Sequence, residues 1–278
     1  MRHLDLAAIS DAMRELAITA CCDLGSDVEQ ALKAAQQTEE APTGREILRQ
    51  LVENAAIARR DTVPICQDCG LAVVFADIGR ELVLDCDLET AVNDGMMRGY
   101  ADGYLRKSTC TALGRQNFGT NAPAIIHCRL VEGDRLTLTL APKGGGSENM
   151  SALKMFAPAA GRAGIIDFVV ETVRNAGPNP CPPIVVGVGV GSNFEGVALL
   201  AKRALLRELG SRNPSPEMAA IEEELLERIN ALGIGPAGLG GRTTALAVMV
   251  EEAPCHIASL PVAVNINCHA ARHKTVVL

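Results

Sequence analysis

The sequence predicts an α+β fold in which helices are mixed with short, mainly antiparallel sheets. Apolar residues recur at helical spacing early in the chain, and short apolar runs joined by turn residues follow. Strands and helices do not alternate regularly, which disfavours a doubly wound sheet. With 278 residues, 48% of them hydrophobic, the chain can bury a substantial core. Loop composition marks no boundary, so we predict a single domain over residues 1–278.

Helical periodicity dominates the first hundred residues. Ile9, Met13 and Leu16 recur at helical spacing, and the same spacing returns later, which predicts helix across residues 5–58. A further helix is predicted over residues 88–107.

Two hairpins are predicted in the middle of the chain. Residues 71–77 and 81–86 are apolar runs joined at a Gly-Arg pair. Residues 122–130 and 135–141 flank a Glu-Gly-Asp turn and form the clearest hairpin pattern in the sequence.

The second half continues to mix the two kinds of element. A run of glycines predicts the start of a helix near residues 152–156. The remaining predicted elements are helices over 165–176, 196–209 and 215–232 and strands over 184–190, 242–251 and 261–266.

Composition excludes several classes of protein. A net charge of −7 and 3% aromatic residues, with no tryptophan, argue against binding of nucleic acid. No run of about 18 uncharged apolar residues is present, so we expect no membrane span. The charged amino terminus does not resemble a secretory signal. The ten cysteines are therefore expected to be thiols or metal ligands in the cytoplasm.

Three cysteines, Cys66, Cys181 and Cys268, stand far apart in polar or Gly/Pro-rich segments that favour loops. Three thiolates can hold an iron–sulfur cluster that normally takes four, and one iron is then left open. Such an iron suits a Lewis acid better than an electron carrier. Six others are interpreted as ordinary small apolar residues: Cys21, Cys22, Cys86, Cys110, Cys128 and Cys255.

The Cys66-x-x-Cys69 spacing also fits a redox pair or half of a zinc site. No second pair has this spacing. The Cys255-His256 and Cys268-His269 doublets could supply zinc ligands, although not at the spacing of a zinc finger. A zinc or thiol redox module without enzymatic activity therefore remains the alternative at this point.

Two glycine clusters could contact ligands. The Gly-x-Gly-x-Gly segment at 187–191 lacks the third small residue that a dinucleotide fingerprint needs, so it is interpreted as a tight strand-to-helix turn beside a buried ligand. Glycines 144–146 could converge their N–H groups on an anion, and a mobile surface loop is the alternative.

Five ordered motifs lie at residues 64–68, 117–123, 141–149, 187–206 and 267–270. Together they resemble the alpha-type half of the iron–sulfur hydro-lyases of the class I fumarase and tartrate dehydratase type. The resemblance extends from about residue 10 to the end. One position departs from the family pattern: Cys69 stands where threonine is usual.

This resemblance implies a [4Fe-4S] cluster with one open iron, held by Cys66, Cys181 and Cys268. It implies reversible addition of water to a C4 dicarboxylate, with fumarate and malate preferred and L(+)-tartrate as the alternative. Four more residues are expected around the substrate by resemblance: Gln67 and Arg106 as binding residues, and Asp68 and His256 as catalytic residues.

The chemistry of these residues is compatible with those roles. Arg106 can hold a carboxylate through two hydrogen bonds, and Asp68 could orient Arg106 or relay a proton. Without the resemblance, a residue such as Arg106 is more often a solvated helix charge, and His256 fits a core histidine equally well.

The proton-abstracting base is expected outside this polypeptide. In the family it is associated with the carboxy-terminal, beta-type domain. The resemblance therefore implies a separate beta-type subunit and a hetero-oligomer of α2β2 composition.

Overall fold

The computed structural model describes residues 2–278 and contains both helices and sheets, which confirms the mixed fold class. The helices are α1 (Leu6–Cys22), α2 (Ser26–Thr38), α3 (Pro42–Asp61), α4 (Leu88–Asp102), α5 (Gly145–Glu148), α6 (Gly161–Ala176), α7 (Phe194–Ala204) and α8 (Pro216–Asn230). The strands are β1 (Arg2–Leu4), β2 (Leu71–Gly79), β3 (Leu82–Leu84), β4 (Ile125–Val131), β5 (Leu136–Lys143), β6 (Ala152–Phe156), β7 (Ile184–Gly191), β8 (Ala245–Ala253), β9 (Leu260–Asn267) and β10 (Lys274–Val277).

The chain divides into two units. The first contains residues 2–25, Asn54–Gly145 and Arg272–Leu278, and the second contains Ser26–Glu53 and Gly146–Ala271. The assignment of residues 1–278 to one domain stays a prediction.

The first unit is built on a four-stranded sheet with the order β10-β5-β2-β4. Strand β2 is central because the side chains of residues 72–76 are buried on both faces. It pairs parallel to β4 and antiparallel to β5. Ile9 and Met13 of α1 pack with Met96 and Tyr100 of α4 in the core beside this sheet.

Both predicted hairpins are wrong. Strand β3 pairs with β1 instead of β2, and β4 and β5 lie on opposite sides of β2 instead of beside each other. The turn residues do reverse the chain. Strand β2, however, is buried on both faces, so the backbone N–H and C=O groups along both of its sides need a neighbouring strand, and β4 and β5 supply one each.

The second unit is built on a sheet with the order β6-β9-β7-β8. Strand β7 is fully buried, runs parallel to β8 and is antiparallel to β9. The β7 glycines allow α7 to pack closely: a Cβ on Gly187 or Gly189 would lie 2.2 Å from a carbonyl oxygen of that helix. The glycine spacing therefore serves the contact between strand and helix.

A buried carboxylate ties α2 to the segment before β8. Glu39 is 1% exposed and accepts N–H groups from Ala41, Arg242 and Thr243 at 2.9–3.1 Å. Burial raises the pKa of the Glu39 carboxyl, but these backbone donors lower it by more, so the pKa lies below its usual value.

Other predictions differ in detail. Residues 152–156 form strand β6 and not a helix, because the helix after the glycines stops at Glu148. Helix α4 ends at Asp102 and α7 at Ala204, earlier than predicted. Strands β1 and β10 were not predicted. No helix within residues 2–278 is long and apolar enough to cross a membrane.

Candidate active site

Cys66 lies in the loop between α3 and β2, residues 62–70, which we call the Cys66 loop. The Cys66 side chain is partly exposed. Its Sγ accepts the Asp68 N–H at 3.4 Å and contacts Oε1 of Gln67 at 3.3 Å.

Asp68 fixes the shape of this loop. Its Oδ1 accepts the Gly70 N–H at 2.9 Å and its Oδ2 accepts the Gly145 N–H at 2.8 Å. The guanidinium of Arg272 donates to the Asp68 carbonyl oxygen. The N–H of Gly145, in the predicted anion-binding loop, thus receives a carboxylate from the chain itself.

Cys69 differs from Cys66 in being only 1% exposed. Its Sγ accepts the Arg106 N–H at 3.2 Å. Hydrogen bonding with the Cys21 thiol, helped by the Arg106 N–H and the charge of Arg272, lowers the pKa of Cys69 to about 6 against the effect of burial. The same pairing raises the pKa of Cys21. Cys69 therefore acts inside the unit, as a link to Arg106.

Arg106 stands in the segment from α4 to β4, residues 103–124, which we call the Arg106 loop. Its side chain is exposed, and within residues 2–278 its guanidinium makes no hydrogen bond or ion pair. The structure brings the backbone of Arg106 together with the Cys66 loop and leaves the charged group available to a ligand. Asp68 does not pair with it.

Sequence reasoning missed two residues whose side chains bond to the Cys66 loop. The Tyr100 hydroxyl donates to the Cys69 carbonyl at 2.7 Å, and the Asn121 side chain contacts both Ser108 and Gly70. Asn121 lies in the motif at 117–123, so its sequence signal was visible although its role was not.

In the second unit, Cys181 precedes β7 and Cys268 follows β9. Because these strands are antiparallel, with Val185 opposite Asn267, both cysteines lie at the same edge of the sheet. His269 confirms their closeness: its backbone N–H and its Nδ1 lie 3.3 and 3.1 Å from the Cys181 carbonyl oxygen.

His256 lies elsewhere in that unit. It follows β8, whose last residue, Ala253, pairs with the last residue of β7, Gly191. His256 is therefore at the edge opposite Cys181 and Cys268, separated by a strand of roughly 20 Å. Its Nδ1 accepts the Ala258 N–H at 3.1 Å.

A polar network supports the strand that leads to Cys268. Glu148 accepts from Lys202 at 2.6 Å and from Asn265 at 2.7 Å, and Asn265 also donates to Ser151 at 2.9 Å. These residues were not predicted, because their partners lie more than fifty positions away in sequence.

The three predicted ligands, Cys66, Cys181 and Cys268, offer thiols as donors. All ten cysteines carry thiols and not disulfides, and Cys66, Cys181 and Cys268 all reach the surface at least in part. In neither unit, within residues 2–278, do three or more His, Cys, Asp or Glu side chains gather around one point. Soft thiolates favour iron–sulfur clusters, so the residues fit such a group in their chemistry.

The sequence matches the fumarate hydratase (Fumerase) family over residues 10–277. The chain belongs to this family. That membership confirms the resemblance found in the five motifs and makes the protein a hydro-lyase.

Curated relatives agree with the assignment. The chain is 44% identical to the "Putative L(+)-tartrate dehydratase subunit alpha" of Methanocaldococcus jannaschii, over 95% of each chain. It is 30% identical to the "L(+)-tartrate dehydratase subunit alpha" of Escherichia coli K12, over 91% of this chain and 84% of that one. Both relatives are named as alpha subunits, so the hydro-lyase is similar to polypeptides named as parts of a larger enzyme.

Proposed function

We propose that this hydro-lyase is the alpha subunit of an enzyme that reversibly hydrates fumarate to malate. The observation that carries the proposal is the joint framework of the Cys66 loop and Arg106. Arg106 offers an exposed guanidinium while its N–H is bound to Cys69, three residues from Cys66. A carboxylate anchor and a metal-ligating thiol are thus held together.

In this proposal Cys66, Cys181 and Cys268 hold a [4Fe-4S] cluster. When bound, an iron with an open coordination position supplies Lewis acidity, which favours the departure and addition of hydroxide. The thiol chemistry supports this ligand set against zinc, which prefers four closed ligands when structural.

The chain's own residues bind and orient the substrate. Arg106 holds one carboxylate by two charge-assisted hydrogen bonds, and the Gln67 amide lies beside the Cys66 sulfur, where it can donate to the other end of a short diacid. Asp68 holds the Cys66 loop, which carries Gln67, because its carboxylate accepts the backbone N–H groups of Gly70 and Gly145. We therefore assign Asp68 a positioning role, and we route no proton through His256.

The proton-abstracting base is proposed to come from a beta-type subunit. Exposed apolar side chains lie close in sequence to the proposed substrate residue Arg106: Tyr104 and Leu113 in the Arg106 loop are 92% and 97% exposed. The Arg106 loop also carries three basic residues and no acidic one, in a chain of net charge −7. An acidic and partly apolar surface on that subunit would complement it.

L(+)-tartrate dehydration is the second candidate, favoured by the names of the relatives. Fumarate and tartrate are both C4 diacids with a carboxylate at each end, so the same anchors serve either. We also propose a cytoplasmic location, since ten thiols persist best in a reducing compartment.

The test is turnover by the co-expressed, anaerobically purified complex. Initial rates are measured with fumarate, malate and L(+)-tartrate, and visible absorbance reports the cluster. We expect a brown protein with higher kcat/KM for fumarate and malate. A higher value for tartrate would establish the second candidate, and a colourless active protein would refute the cluster.

A further inference from the structure

Asn121 occupies the junction of the Arg106 loop and the Cys66 loop. It is 1% exposed, and its family motif at 117–123 has no role in the function proposed above. Few polar side chains are buried this completely without a bonding requirement, so its contacts indicate what it does.

The amide of Asn121 uses both of its ends. Oδ1 accepts the N–H groups of Ser108 at 2.7 Å and Thr109 at 3.2 Å, and Nδ2 donates to the Gly70 carbonyl oxygen at 3.1 Å. Backbone N–H groups require an oxygen and a carbonyl requires a donor, so the partners fix the orientation of the amide.

These bonds bracket Arg106. Its own N–H is bound to Cys69, and the residues two and three positions later are bound to Asn121. Asn117 adds a bond from its Nδ2 to the Lys107 carbonyl at 2.9 Å. The backbone at Arg106 and just after it is therefore fixed by hydrogen bonds. One of the residues that accept these bonds, Asn121, is itself bonded to Gly70 of the Cys66 loop.

The backbone conformation of Asn121 is also specific. Its φ is 62°, a left-handed value that asparagine and glycine adopt more readily than other residues. A glycine at this position would keep the backbone conformation and remove only the amide. This gives a substitution that separates the hydrogen bonds from the path of the chain.

We propose that Asn121 is a positioning residue that fixes Arg106 relative to the Cys66 loop during the hydro-lyase reaction. The inference rests on the role of Arg106 in the proposed function. A side chain that anchors a substrate must be held closely, since a misplacement of about 1 Å can cost roughly 100-fold in rate. Asn121 meets that need by joining the two loops through one buried amide.

The experiment compares Asn121→Gly and Asn121→Asp with the unaltered protein in the complete complex. Asn121→Asp keeps the acceptor for Ser108 and Thr109 and loses the donor to Gly70. We expect unchanged iron content in both, and a fall in kcat/KM for fumarate of about 10- to 100-fold, mostly through KM. Hydrogen–deuterium exchange should rise at residues 106–110 in Asn121→Gly.

A double substitution shows whether Asn121 acts through Arg106. If it does, Arg106→Ala combined with Asn121→Gly should be no worse than Arg106→Ala alone. Asn213→Gly is the matched control: Asn213 is similarly buried, donates to the Val250 carbonyl and lies in the second unit. It should leave KM within about twofold, since it bonds no residue of either loop.

The outcomes separate this inference from the function on which it rests. Normal kcat/KM in Asn121→Gly, together with a loss in Arg106→Ala, would overturn the role of Asn121 alone. Additive losses in the double variant would overturn it as well. Normal kcat/KM in Arg106→Ala would show that Arg106 does not anchor the substrate. The positioning role assigned to Asn121 would then fail together with that part of the proposed function.

Discussion

Two cysteines three positions apart have opposite surroundings. Cys66 is partly exposed, whereas the Cys69 sulfur is buried and accepts the Arg106 N–H. The family pattern has threonine at position 69, and a threonine hydroxyl can accept the same N–H. This assigns Cys66 to the proposed cluster and Cys69 to the protein interior.

Serine substitution should separate these roles. Cys66→Ser, Cys181→Ser and Cys268→Ser should each lose the cluster, because each removes one of three thiolates, while Cys69→Thr should retain about four irons per chain. Iron and sulfide are measured after anaerobic reconstitution. Full iron content in Cys181→Ser would remove that residue from the ligand set.

Arg106→Ala should separate substrate binding from cluster assembly. In the assembled complex we expect bound substrate and the beta-type subunit to shield Arg106 from water. Truncating one partner of such a shielded charge pair costs about 2–5 kcal/mol, so kcat/KM should fall by roughly 30-fold or more while iron content is unchanged. Arg106→Lys should recover part of the loss, since the ammonium keeps the charge and lacks the planar fork. Steady-state kinetics of the complex measure both, and normal kinetics in Arg106→Ala would mark this residue as a solvated charge.

At the scale of elements, the Glu39 carboxylate joins the end of α2 to the segment before β8. Glu39→Gln should lower the free energy of unfolding at pH 7 by about 1–3 kcal/mol, because an amide cannot satisfy all the facing N–H groups. The folded-state pKa of Glu39 is lowered. Its contribution is therefore complete above the unfolded pKa of about 4.3 and is lost progressively as the pH falls from there through the lower folded-state pKa.

Denaturant unfolding at pH 7 and pH 3.5 measures this effect. The difference between the unaltered protein and Glu39→Gln should shrink at the lower pH. Glu40→Gln is the matched control, since the neighbouring Glu40 side chain is 81% exposed and pairs with Arg242 at the surface. An undiminished difference at pH 3.5 would show that the ionised carboxylate is not responsible.

The helices and buried strands were predictable, and the pairing of strands was not. Periodicity located α6 and β7 closely, because their apolar faces are set by local sequence. The partners of β2 were misassigned because a turn in the sequence shows where the chain reverses direction. It does not show whether the two flanking strands pair with each other or with a third strand, as β4 and β5 do with β2. The site shows the same limit: the three loop cysteines were evident, but the bonds of Asn121 to Gly70 and of Asp68 to Gly145 span more than fifty residues.

At the scale of the whole molecule, the Arg106 loop is ordered yet uncovered. A small hairpin, with Cys110 bridged to Asn117, carries Leu113 at its tip, 97% exposed. Tyr104 in the same loop is 92% exposed, so this loop offers two exposed apolar side chains for the contact with the proposed beta-type subunit.

Leu113→Asp should therefore weaken association with the beta-type subunit, by at least about tenfold in Kd, because it places a charge in an apolar contact. Size-exclusion chromatography and titration of the purified subunits measure this, and the isolated alpha chain should keep its cluster. Leu239→Asp is the control, since Leu239 is exposed and flanks no proposed substrate residue. Unchanged affinity in Leu113→Asp would place the interface elsewhere.

The return of the chain to its first unit has a consequence for synthesis. Strand β10 completes the sheet of β5, β2 and β4, and Arg272 reaches the Asp68 carbonyl across 204 positions. A ribosome releases residues in order, so the Cys66 loop is made early but gains Arg272 only after 204 further residues have been added. The edge of β5 stays open throughout that interval. The Cys66 loop therefore reaches its final hydrogen bonding only after residues 272–277 have been synthesised.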